Sequence, residues 1–466
     1  MSFIQKKYIV VILSCILLGC VIGIYSETPI ATICLLSIIG IFVFIGKELA
    51  LCALLICLPF SFRYIIPQLL EIQTPTEPLL GMLCAVYFLK KILDFTLKNK
   101  DNRTRFPFLL PLGFFIFVTF LSTINTPEVF ATLKGSIRAS IYMLFSLVVY
   151  DIVRNRVNLH RISIATFPSA AVAVIWTVIV LIYNIDEWQW TSSYRNSPFT
   201  NYSVYGSFTA IFFLVCLSRL MFDNGQYDRF LWTVMAICFG FGLIMCFSRG
   251  VWLSVIVAIG FLLLQLGKGV THRKILFMGI ACLIILVTFS LPGVYSSVLE
   301  RISTTVDINY ASNRARLLRW GQALNMFLQN PILGKGYGAF AMLYEEDVAL
   351  VGTYTAQYQL GAHSEYLQVM AELGIIGLGA WIWLNLSFLL FGLKALKGIE
   401  NGFYRSIIIG LMASEISLMI HFIVNNLLNG DAIGVPFWGI YGLLPAVVYL
   451  AENRSENTTQ EDLYRI

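Results

Sequence analysis

The sequence predicts an all-α polytopic membrane protein of about fourteen transmembrane helices, with one large extracytoplasmic loop containing short amphipathic helices. Three observations carry that expectation. Apolar side chains make up 58% of the 466 residues and charged ones only 12%, a balance foreign to water-soluble domains. Unbroken apolar runs of about 17–23 residues recur from Tyr8 to Leu450, each long enough to cross a hydrocarbon core of roughly 30 Å as a helix. The runs do not alternate, which excludes barrel strands and leaves helices to satisfy the backbone in lipid.

Taken in order, the runs place spans at 8–24, 29–46, 49–66, 79–96, 107–123, 137–153, 162–183, 202–222, 230–247, 250–266, 275–292, 370–394, 406–427 and 435–451. The first follows Lys6 and Lys7 as a signal peptide would. No small-residue cleavage site is clear and further spans follow at once, so it reads as a retained anchor. The expected organisation is spans 1–11 over 1–292, the large loop over 293–369, spans 12–14 over 370–451 and a polar cytoplasmic tail over 452–466.

Basic residues set the orientation, because lysine and arginine accumulate in cytoplasmic loops. With the N-terminus inside, that side receives Lys47, the cluster from Lys90 to Arg105, then Arg154, Arg156, Arg161, Arg229, Lys268, Arg273, Lys274, Lys394, Lys397 and Arg405. The C-terminal tail is then inside as well. The outer side keeps Arg63, Lys134, Arg138, Arg195, Arg249, Arg301, Arg314, Arg316, Arg319 and Lys335. Nearly all of these are arginine, whose planar fork suits phosphate or carboxylate where lysine would serve for solvation. The net charge of +6 is therefore mostly topology, and the outer arginines are the part left to explain. All ten cysteines fall in expected spans, with no disulfide framework and no metal-type spacing, so they read as packing residues.

The outer loops are short until Pro292, after which no spanning run occurs before about Met370. Within this loop, Leu317, Trp320, Leu324 and Phe327 or Leu328 recur at helical spacing over Asn313–Gln329 and end at Asn330-Pro331. The spacing predicts an amphipathic helix on the membrane or the bundle. Arg316 and Arg319 share one edge of it, so they either face a common anion or snorkel to lipid headgroups. Gly334-Lys335-Gly336-Tyr337-Gly338 invites a phosphate-loop reading, but its spacing matches no nucleotide motif and a turn is expected. The loop from Asn184 to Thr200 holds Trp188, Trp190, Tyr194 and Arg195. Its tryptophans fit an interfacial belt, which does not account for Arg195.

Of the four histidines, His160 and His272 lie in basic inner loops, and His421 lies in a span as a hydrogen-bonded packing residue. Only His363 is outside, followed by Ser364 as a helix N-cap. The positive end of that helix and nearby arginines disfavour the imidazolium, which suits a neutral general base beside a bound anion; capping is the plainer alternative. Ser248-Arg249-Gly250 interrupts two apolar runs at the outer boundary. An arginine there needs a partner, the interface or a water-filled cavity. Arg63 sits at the same level, and Glu365 with Glu345-Glu346-Asp347 is expected to be solvated or to face a substrate.

Together these residues resemble the O-antigen ligase and O-antigen polymerase superfamily of bacterial envelope glycan assembly. His363-Ser364, nine residues and then Gly374-Ile375-Ile376-Gly377 reproduce that superfamily's His-polar-(nine)-Gly-x-x-Gly pattern. Ser248-Arg249-Gly250, Arg316 four residues before Trp320, and Asn330-Pro331-Ile332-Leu333-Gly334 with Gly336 agree with it. The resemblance implies a glycosyltransferase of the bacterial inner membrane, with a polyprenyl-diphosphate-linked oligosaccharide as donor and a lipid-linked chain or terminal glycolipid as glycan acceptor. It implies an inverting reaction in the outer leaflet with no cofactor, no metal and no nucleic acid, and a polymerase of this kind could take a chain-length regulator. His363, Arg249 and Arg195 would be catalytic, with Arg316, Arg314, Arg319, Arg63, Asn201 and Glu365 binding substrate. Polymerase and ligase share the donor and differ in the acceptor. A lipid-linked oligosaccharide flippase is the rival from another class, but it needs no large outer loop.

Overall fold

The computed structural model describes residues 46–66, 70–96, 106–183, 197–199, 201–223, 229–266, 311–346 and 361–453, and among these the chain is a bundle of helices with one short hairpin. The expected spans at 8–24 and 275–292, nearly all of 29–46, and Arg195 lie outside the described residues. Six described helices are long and apolar enough to cross a membrane: Val129–Val153, Arg156–Tyr183, Tyr202–Phe222, Glu365–Leu396, Gly402–His421 and Asp431–Glu452. Shorter apolar stretches at Leu109–Ile124, Arg229–Ile244 and Arg249–Gln265 accompany them. The chain is a multi-pass membrane protein.

Helix Tyr202–Phe222 is the axis of the bundle. Ser203 and every residue from Tyr205 to Phe222 are buried, against Gly402–His421, Arg229–Ile244 and Arg249–Gln265. Beside it, Asp431–Glu452 packs along Val129–Val153, and rings fill the junction with the neighbouring helix, Trp381 on Phe437 at 5.6 Å and Phe388 on Tyr441 at 4.7 Å. Helix Arg156–Tyr183 instead exposes Ile164, Val172, Ile175, Trp176 and Ile179. Such a surface suits lipid rather than water.

Three expected spans are not continuous helices. The run at 49–66 is helical only over Lys47–Cys57, because Pro59 supplies no N–H to extend it. The chain then makes a 3-10 turn at Leu58–Phe60 and a strand at Phe62–Ile66, paired antiparallel with Leu70–Thr74 so that Arg63 lies opposite Gln73. The run at 406–427 is helical over Gly402–His421 and then becomes a turn carrying Asn425 and Asn426. The third, Glu365–Leu396, starts at the Ser364 cap and is broken at Gly374, where φ is 64° and ψ −162°.

The break at Gly374 frees backbone groups that must be satisfied within protein. The Asn330–Gly338 segment does this. Lys335 and Gly336 N–H donate to the Ala371 and Glu372 carbonyls at 3.0 and 2.9 Å, and Ile375 N–H donates to the Pro331 carbonyl at 2.8 Å. A Cβ at Gly374 would fall on the Ile332 carbonyl, and one at Gly334 on the Glu372 backbone. The glycine-rich segment is thus a docking turn that locks the loop helix to the broken one, as its lack of nucleotide spacing implied.

Candidate active site

Helix Ala311–Gln329 carries the loop arginines. Its expected apolar stripe is exposed at Leu317, Leu324 and Leu328, while Arg319, at 4% exposure, is buried with Ala323 and Met326 on the other side. Ala323 and Met326 join Phe340, Tyr344, Ala362 and Ala371 in a small core apart from the main one. That core fixes the arginine helix beside the segment that ends in His363.

Arg249 opens helix Arg249–Gln265, so its charge adds to the positive end of a helix dipole. Its Nη2 donates to Asn313 Oδ1 at 3.1 Å, and Arg316 Nη1 approaches the same oxygen at 3.4 Å. Two cations share one neutral acceptor. Among the described residues, Arg316 Nε and Trp320 Nε1, both buried, have no hydrogen-bond partner. Like charges gathered at a helix N-terminus with unused donors nearby form a site that an anion would complete.

His363 is held from several directions. Its backbone is left-handed, at φ 56°, a conformation that costs a non-glycine residue on the order of 1 kcal/mol and persists only when its surroundings enforce it. Asn426 Oδ1 accepts its N–H at 3.0 Å, and Nδ1 lies 2.8 Å from Asn425 Oδ1. Beyond Asn425, its Nδ2 lies 2.8 Å from His421 Nε2 and 3.3 Å from Ser203 Oγ, and His421 Nδ1 lies 2.6 Å from Ser207 Oγ. Gly250 leaves room for His421, since a Cβ there would approach its Cδ2 at 2.9 Å. The Ser248-Arg249-Gly250 motif therefore serves both groups, presenting Arg249 and admitting His421.

Burial first, then the charges of Arg319 and Arg316, push the His363 imidazole down from 6.5 to about 3, partly opposed by its bond to Asn425. The ring is neutral across the ordinary pH range and able to accept a proton. The sequence anticipated the arginines but not that burial would be the larger cause.

Other expected site residues are placed differently. Arg314 is exposed. Asn201 caps helix Tyr202–Phe222, accepting Ser203 N–H at 2.7 Å. Glu365, expected to be solvated or acceptor-facing, is 7% exposed, and its Oε2 accepts Leu427 N–H at 3.2 Å, fastening the turn that carries Asn425. Arg63 lies on the hairpin strand. Arg138, another outer arginine, pairs with Glu77 at 2.6 Å. Asn313, Asn425, Asn426 and the contact role of His421 escaped the sequence reading. Asn425-Asn426 inside an apolar run, followed by Asn429-Gly430, was the available turn signal.

No curated protein matches the chain. The family model described as O-antigen ligase matches residues 234–382, a stretch that includes Arg249, Asn313, Arg316, His363 and the Gly374 break, and that match supports the resemblance to the O-antigen ligase and polymerase superfamily.

Proposed function

We propose that this glycosyltransferase moves a glycan from a polyprenyl-diphosphate carrier onto an acceptor sugar, as the polymerase or ligase of a surface polysaccharide. The observation that carries the reading is the meeting of Arg249 and Arg316 on Asn313 beside a neutral His363. A sugar C1 bonded to diphosphate already has a good leaving group, so the reaction needs positioning and charge stabilisation more than an acid. Arg249 and Arg316, assisted by Arg319 and Arg195, hold the diphosphate. His363 removes the proton of the attacking acceptor hydroxyl. The acceptor oxygen bonds to C1 as the C1–O bond to diphosphate breaks, and the electron pair leaves with the diphosphate. Displacement in line inverts the anomeric carbon. Arginine stays charged at any working pH, so the charge that a divalent cation would supply can come from the protein.

The basic-residue pattern supports an orientation in a bacterial cytoplasmic membrane with both termini inside and the His363 end facing out. That places donor and acceptor on the extracytoplasmic face. The test is reconstitution in liposomes with polyprenyl-diphosphate oligosaccharide extracted from the host, without nucleotide and with chelator. A ladder of longer lipid-linked glycans identifies a polymerase, and product only on adding a terminal glycolipid identifies a ligase. Movement of the lipid between leaflets with no new glycosidic bond would overturn the transferase reading in favour of a flippase.

A further inference from the structure

We infer that Asn425, held in place by His421, is a positioning residue that fixes the tautomer and ring orientation of His363. The inference rests on the transferase reading above and adds to it the group that prepares the base. An imidazole can take a proton only on the nitrogen that lacks one, so the tautomer decides whether His363 offers its lone pair to substrate or to the protein interior. With Asn425 Oδ1 at 2.8 Å from Nδ1, the amide oxygen can only accept. The hydrogen then sits on Nδ1 and the lone pair on Nε2.

The orientation of the amide follows from what lies on its far side. Asn425 Nδ2 faces His421 Nε2 at 2.8 Å and Ser203 Oγ at 3.3 Å, two acceptors for its two hydrogens. His421 in turn donates from Nδ1 to Ser207 Oγ at 2.6 Å. Donation then runs from His363 through Asn425 and His421 to Ser207 on the central helix. Every member except His363 is buried, and the Glu365 carboxylate holds the turn at Leu427.

An amide here does what a carboxylate would not. A negative charge at position 425 would pair with the imidazolium and with Arg316 and Arg319, the charged groups acting on His363 from the facing helix. It would raise the basicity of the ring before donor arrives. The neutral amide orients the ring without charging it, and the arriving diphosphate supplies the negative charge that favours proton uptake.

The experiment compares wild type, His363→Ala, Asn425→Leu, Asn425→Asp, His421→Gln and His421→Leu in the liposome assay with host polyprenyl-diphosphate oligosaccharide, reading kcat, donor KM and the pH profile. Asn425→Leu is expected to lower kcat at least about 100-fold with donor KM nearly unchanged. Asn425→Asp is expected to move the acid limb of kcat/KM upward by about 1–3 pH units, which a purely structural role would not do. His421→Gln, which can still accept from Asn425, should retain far more activity than His421→Leu. If Asn425→Leu fails to fold, the acid limb of Asn425→Asp decides. Wild-type activity lost in His363→Ala but unchanged in kcat and acid limb in both Asn425 variants would overturn this inference alone. Absence of transfer by wild type would instead overturn the function it rests on.

Discussion

Two arginine sites in the bundle, around Arg219 and around Arg249, differ in what meets the cation. At the end remote from His363, Arg219 is buried, pairs with Asp223 at 2.6 Å and lies over the Phe403 and Trp232 rings at 4.4 and 5.3 Å. Nearby, Asp151 takes Lys91 at 2.9 Å and Arg154 at 3.2 Å. Sixteen residues of helix separate Ser203 from Arg219, a rise of about 24 Å. At the His363 end, Arg249 and Arg316 converge on the neutral oxygen of Asn313. A cation matched by a carboxylate and rings holds helices together, whereas two cations meeting on one amide oxygen make a place that an added anion would favour.

The largest effect is expected from removing the proposed base. His363→Ala is expected to lower kcat by about 10²–10⁴-fold with no comparable loss of folded protein. Next, Arg249→Ala or Arg316→Ala should lower kcat/KM by about 10²–10³-fold. Arg219→Ala at the far end should lower the thermal midpoint and yield while the folded fraction keeps its turnover. Equal losses of activity at both ends would dissolve the contrast.

The packing that connects the two kinds of region gives the third prediction. Gly374→Ala combines a positive φ with contact on the Ile332 carbonyl and is expected to cost at least about 1–3 kcal/mol by thermal or denaturant unfolding. Gly379→Ala, with nothing near its added carbon, should be neutral or slightly stabilising. The contrast between two glycines of one helix separates the docking requirement from helix propensity.

The last effect concerns pH. His363 binds a proton in the folded chain only near its depressed value of about 3, against 6.5 when unfolded. The unfolded state therefore takes up the extra proton in that window, so stability falls as pH drops from about 6.5 toward 3, by an amount burial and the arginines determine. The acid limb of kcat/KM should likewise lie well below 6.5. Arg319→Gln removes one of the charges holding the ring down and should move that limb upward.

Hydropathy made the long helices legible because a bilayer demands them, and the fixed motif spacing made His363, Arg249 and Arg316 legible. What hydropathy hides is where an apolar run stops being a helix. Pro59, Gly374 and Asn425-Asn426 each interrupt such a run, and averaging over a span length removes their signal. The partners Asn313 and Asn425, and the side chains that a hydrogen-bonded His421 would meet, were lost for a related reason: their roles depend on contacts between segments far apart in sequence. Asn425 meets residues 203 and 363, which no local pattern encodes. Burial of Glu365 was hidden the same way, because its partner lies in the turn at Leu427.

The most direct measurement of the division between holding and reacting is donor binding alongside turnover in lipid nanodiscs, with undecaprenyl diphosphate as the binding probe and host polyprenyl-diphosphate oligosaccharide as substrate. His363→Ala is expected to keep the wild-type Kd for the probe and lose turnover, while Arg249→Ala weakens binding at least about tenfold. A His363→Ala variant that turns over at the wild-type rate, or an Arg249→Ala variant that binds the probe as tightly as wild type, would contradict that division.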